Sequence, residues 1–196
     1  MKGSSSRTPR SRTSAGAERA LTSRSLPSHF DLFGLPPAFA LDKEALEKAY
    51  RDIQSQVHPD RFAQAGDAER RASLQWTTRV NEAYRTLKNP VQRAKHILDL
   101  NGIDVAFETN TQMPTDFLLQ QLELREELEA AAAKKDASRL DAIRIRLRQL
   151  AGLLETQIAT AIDQRKDYEG AAGQVRKLMF LDRLDAEIDA AYEEIE

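Results

Sequence analysis

The chain has 196 residues, 31% of them charged and 6% aromatic, with eight Gly, seven Pro and no Cys. The missing cysteines exclude disulfides, thiolate metal sites and a cysteine nucleophile. No apolar run approaches the roughly 20 residues of a membrane span. The net charge of −2 hides a division: residues 1–25 hold six Lys or Arg against one acid, so the remainder is about −7 and does not suit nucleic acid.

The N-terminal stretch 1–27 is rich in Ser and Arg and poor in large apolar side chains. It cannot bury enough surface to offset its own ordering, so a disordered basic tail is expected. Its Arg/Ser-rich, acid-poor character is also that of a mitochondrial transit peptide. Cytoplasm is the expected location, with the mitochondrial matrix as the alternative should the tail be a transit signal.

Order is expected from "HFDLFGLPP", where Phe30, Leu32, Phe33 and Leu35 gather before Gly34 and Pro36–Pro37 can turn the chain. Asp42 is an N-cap candidate for a helix whose apolar stripe runs Leu46, Ala49, Tyr50, Ile53, Val57. Pro59 stops that helix, because a residue before proline is pushed out of the helical region. A second helix over 68–88 repeats the spacing with Trp76, Val80, Ala83, Tyr84 and Leu87. "KNP" ends it, and Pro90 suits the first turn of a short helix that stops at "NG", 101–102.

A polar connection, 101–113, leads to three long helical segments at about 115–134, 136–167 and 170–195, jointed at Asp136 and Gly170. Three antiparallel helices with short joints form a small bundle. The expectation is all-α: a 28–100 domain, a 101–113 linker and a 114–196 bundle. In the first segment Phe117, Leu124 and Leu128 lie within about 20° of one line, the bundle face. Leu118, Leu119 and Leu122 fall about 100–200° away, bordered by Glu123, Glu126 and Glu129. Either the first domain or a partner protein should cover that second stripe, and spacing alone does not decide which. The last helix carries Leu178, Leu181, Leu184, Ile188, Tyr192 and Ile195 on one line, with Phe180 about 100° off it.

His58 and Asp60 make a poor catalytic pair, with no aligned third group. His29, His58 and His96 lack metal-ligand spacing. On residues alone, "HPD" is a helix stop with an Asp turn. Its context, "KAYRDIQSQVHPDRF" followed by "VNEAYRTLKNP", resembles the J-domain family. With "FDLFGLP", "LLQQLELREELE" and "VRKLMFLDRLD" in order, the chain is similar through both parts to HscB-type J-domain co-chaperones of iron–sulfur cluster assembly.

The resemblance implies a J-domain built on a helical hairpin with short flanking helices, joined to a C-terminal three-helix bundle. It implies that His58, Pro59 and Asp60 bind the DnaK-type ATPase chaperone HscA and stimulate its ATP hydrolysis. Lys48 and Arg51, sharing a helix face, would steer towards an acidic lobe of that chaperone. It implies that Leu118, Leu119, Leu122, Glu123, Glu126 and Phe180 bind the cluster scaffold protein IscU. No catalytic residue, metal ligand, cofactor, membrane or nucleic acid enters that reading. The remaining alternative is a J-domain co-chaperone serving a different client.

Overall fold

A computed structural model describes residues 27–57, 66–105 and 113–195. Among the described residues every helix and strand assignment is helical. The expected tail, the loop that carries His58, Pro59 and Asp60, and most of the linker lie outside them.

The first helix, α1 (His29–Phe33), is only five residues long, so it depends on its ends. The Asp31 N–H donates to Ser28 Oγ at 3.2 Å and the Ser28 N–H to the Asp31 carboxylate at 2.8 Å, a reciprocal cap. Gly34, at φ 63°, takes the left-handed position that closes the turn. Phe30 and Phe33 are thereby set into the core.

Helix α2 (Lys43–Val57) starts as its sequence suggests: the Asp42 carboxylate accepts the Glu44 and Ala45 N–H groups at 2.9 and 3.1 Å. It pairs with α3 (Asp67–Lys88) as a hairpin. The Tyr50 and Tyr84 rings stack across it, 4.0 Å apart at 14°. Tyr50 Oη and Gln54 Nε2 converge on the Asn81 amide oxygen at 2.9 and 3.2 Å. Leu46, Val80, Ala83 and Leu87 are buried between them.

Trp76 departs from the expected stripe. It is 44% exposed, with the Arg79 guanidinium over its ring. Towards this tip of the hairpin the buried residue of α3 among the described residues is the small Ser73.

Asn89 then caps α4 (Pro90–Leu100), accepting the Gln92 N–H at 3.0 Å. Proline at the first helical position costs no hydrogen bond there.

The second part is three helices, α5 (Thr115–Ala133), α6 (Ala137–Ala159) and α7 (Tyr168–Glu193). Leu124, Leu128, Leu140, Ile143, Leu147, Leu181, Leu184 and Ile188 fill their common core. Truncating one such leucine to alanine costs about 2–5 kcal/mol. A π-helical turn, Thr160–Arg165, extends α6, and Lys166 at φ 55° ends it in the left-handed region. The Asp167 carboxylate caps α7 by accepting the Gly170 N–H at 2.9 Å. Gly170 therefore stands in the first turn of α7 rather than at the joint: a Cβ there would lie 2.2 Å from Asp167 Oδ2.

The two parts share one core. Phe30, Phe39, Ala94, Ile97 and Leu98 belong to the same buried cluster as Ile158, Ile162, Ala171 and Val175, at the near ends of α6 and α7. The start of the expected linker joins it through buried Val105, whose carbonyl accepts from Arg176 Nη1 at 3.0 Å. A polar clamp reinforces the seam: the Phe39 and Ala40 N–H groups both donate to the Asp163 carboxylate at 2.8 Å. Arg93, buried beside it, donates to the Leu87 carbonyl at 2.7 Å and lies 4.9 Å from the Phe39 ring. Burial lowers the Arg93 pKa, and Glu155 and Asp163 oppose that shift.

Candidate functional site

Two surfaces carry the residues that the sequence singles out. The first lies along α2. Lys48 and Arg51 are exposed and about 60° apart around the helix. Of the acids near them, Glu47 turns towards α3: it accepts from Tyr84 Oη at 3.4 Å and lies 3.8 Å from Lys88 Nζ. That engagement reduces its competition with the two bases. Glu44 and Asp52 remain exposed, so the face is mixed with a basic centre. His58, Pro59 and Asp60 occupy the connection from α2 to α3 and lie outside the described residues.

The second surface lies on α5. Leu118, Leu119 and Leu122 are 44%, 58% and 55% exposed, while Leu124 and Leu128 are buried. Helical arithmetic on the sequence separates the two sets, and the structure divides them the same way. Among the described residues nothing covers the outer leucines. The described residues of the first part pack on Ile158, Ile162, Ala171 and Val175 and leave this stripe open. Glu123 and Glu126 are exposed beside the leucines.

Phe180 sits on α7 as a half-buried ring rather than an isolated exposed one. It meets Phe117 edge to face, with centroids 6.0 Å apart at 80°. The Arg125 guanidinium lies 6.0 Å from its centroid and pairs with Glu187 at 3.3 Å. Phe117 is correspondingly half-buried and stands at the edge of the bundle, not in its core. An aromatic pair held this way offers a rigid apolar shoulder beside the leucines, with little left to order on contact.

The remaining histidines have structural work. His29 and His96 stack at 4.2 Å, and the His29 N–H donates to His96 Nε2 at 3.2 Å. Burial lowers both pKa values. Among the described residues no cluster of three or more His, Asp or Glu could hold a metal ion. Sequence reading did not find Asp163 or Arg93, the seam between the parts. Its one available sign is an arginine set between Val91 and Ala94 on an otherwise apolar helix face.

The DnaJ domain profile matches residues 28–96, and that of the HSCB C-terminal oligomerisation domain matches 113–189. The co-chaperone protein HscB homolog of Burkholderia thailandensis is 51% identical over 169 residues, 86% of this chain and 96% of that one. The homolog of Burkholderia vietnamiensis is 50% identical over the same shares. Among solved structures, chaperone HscB from Vibrio cholerae superposes with a TM-score of 0.73 at 34% identity, covering 87% of this chain and 100% of that one. The human co-chaperone protein HscB gives 0.78 at 27%, covering 84% and 82%.

Proposed function

The chain belongs to the HscB family of J-domain co-chaperones of iron–sulfur cluster assembly, and on that premise we propose that it escorts the scaffold protein IscU to the DnaK-type chaperone HscA and stimulates HscA ATPase activity. The chemistry it promotes belongs to its partner; the chain itself acts as an adaptor without a catalytic residue. The 28–100 segment is the chaperone-binding domain and the 114–196 bundle the scaffold-binding one.

Three leucines held in solvent on α5, rimmed by Glu123 and Glu126 and flanked by the Phe117–Phe180 pair, are the observation that supports scaffold binding. An apolar stripe that the described residues leave exposed, on a helix whose other side is already buried, suits contact with a partner. On the chaperone side, Pro59 restricts the loop, and Asp60 offers a carboxylate for a charge-assisted bond to a cation of HscA. Lys48 and Arg51 supply the attraction that aligns the encounter. With no cysteine, the chain has no thiolate for the cluster, which stays with the scaffold as cargo. Kinship with bacterial proteins supports a cytoplasmic setting.

The test is the HscA ATPase rate with wild-type chain and with His58→Gln, each with and without purified IscU. Stimulation is expected to vanish in the variant while its calorimetric affinity for IscU is unchanged. Stimulation that persists would overturn the assignment of the loop.

A further inference from the structure

The apolar exposure of the bundle does not end at the outer stripe of α5. Leu153 on α6 is 63% exposed, more than any other large apolar side chain among the described residues. It lies with Leu150 and Leu154 along an open groove of about 580 Å³ lined by α5, α6 and α7. Leu119 and Glu123 of the outer stripe form part of the α5 wall of the same groove. A partner resting on the stripe therefore reaches the groove without crossing a separate polar surface. Ile145, nearly as exposed on the same helix, does not line this groove.

The walls differ in charge. Asp116 and Glu123 stand on the α5 side. On the α7 side the cation, Lys177, is already engaged, its ammonium 5.3 Å from the centre of the Phe117 ring. The groove thus combines a leucine lining with an acidic wall that a basic group can meet. Its volume lies within the roughly 300–1,000 Å³ of clefts that bind ligands, enough for an inserted side chain.

We propose that the scaffold-binding surface continues over α5 into this groove, where IscU inserts an aliphatic side chain flanked by a basic residue. The inference rests on the scaffold reading above and enlarges its surface onto α6. A single exposed leucine is ordinary on any protein. What distinguishes Leu153 is its place in a concave site that shares residues with a second apolar surface.

Calorimetric titration of the full chain with purified IscU, run in parallel for Leu153→Asp and Leu122→Ala, tests it. Leu153→Asp is expected to weaken binding at least about tenfold, as loss of a contact at the edge of an interface core does. Its helical spectrum should be unchanged, because the side chain it replaces is mostly in solvent. Should helicity fall, Leu153→Ser carries the same test. Wild-type affinity in the Leu153 variant beside a weakened Leu122→Ala overturns the extension and leaves the scaffold reading standing. Wild-type affinity in both overturns the scaffold reading and the extension together. If the Leu153 variant binds IscU normally but breaks up a self-associated form in sedimentation, the groove is a contact between copies and the inference fails.

Discussion

Helices α2 and α5 each bury one face and offer the other, yet what they offer is opposite. The outer face of α2 is charged, with Lys48 and Arg51 at its centre; that of α5 is leucine with a carboxylate border. Charge attracts over a Debye length and is screened by salt, whereas apolar burial acts at contact and depends on area. On the proposed reading, one chain thus carries two kinds of recognition on separate surfaces. The difference suits an adaptor that meets an ATPase transiently while keeping hold of its cargo.

The strongest way to break the contrast is to remove the apolar side. Leu122→Ala with Phe180→Ala deletes a stripe residue and the aromatic shoulder. The pair should weaken IscU binding by about 3 kcal/mol, roughly a hundredfold, read by calorimetry. Unchanged affinity with an intact helical spectrum would remove this surface from the interface. Lost helicity would instead make the two residues part of the fold.

Next comes the seam, which sets how the two surfaces face each other. Asp163→Ala strands two N–H donors and leaves Arg93 short of a nearby anion. About 2 kcal/mol of stability should be lost, seen as a lower midpoint in denaturant. Synergy between IscU and chain in the ATPase assay should fall further than either separate affinity. Equal falls in all three would reduce Asp163 to a stabilising residue.

A smaller effect sharpens the charged side. Lys48→Glu with Arg51→Glu should raise the chain concentration for half-maximal ATPase stimulation about tenfold at low salt. Raising ionic strength should narrow that gap, and IscU affinity should respond far less to the same salt. A salt response of equal size on both sides would erase the distinction drawn between α2 and α5.

Much of this division is legible in the sequence because local rules govern it. Asp42, Asn89 and Asp136 all cap helices, since a short side chain with an acceptor suits the first turn wherever the rest of the chain lies. The exposed leucines follow from 100° per residue once one bundle face is chosen. The misses are long-range or depend on the edge of a core. Asp163 meets Phe39 and Ala40 across more than a hundred residues, and no spacing rule reaches that far. Periodicity assigns Trp76 and Phe117 to a face, but not to a layer, and among the described residues neither is fully buried. The tip loop lies outside the described residues, and its proposed role rests on the resemblance to relatives; by residue chemistry alone it reads as a turn.

Acid should separate the two parts by the smallest margin. All three histidines, His29, His58 and His96, belong to the first part, and the bundle has none. His29 and His96 have lowered pKa values chiefly through burial. Arg79 lowers the first further while Glu82 opposes; His29 lowers the second further while Asp99 opposes. The unfolded chain therefore binds protons more readily than the native one just below the ordinary histidine value of about 6.5. Stability from these two groups is complete above that value and declines as pH falls from it towards the lower native values. Protonation of His96 also removes the acceptor for the His29 N–H. Protection of the α1 and α4 amides, taken relative to the intrinsic exchange rate at each pH, should fall as pH drops below about 6.5 more than protection in the core of α5 and α7, and His96→Gln, which keeps an acceptor without titrating, should flatten the difference. Equal loss of protection in both parts, or no rescue by glutamine, would assign the acid response to carboxylates spread over the chain.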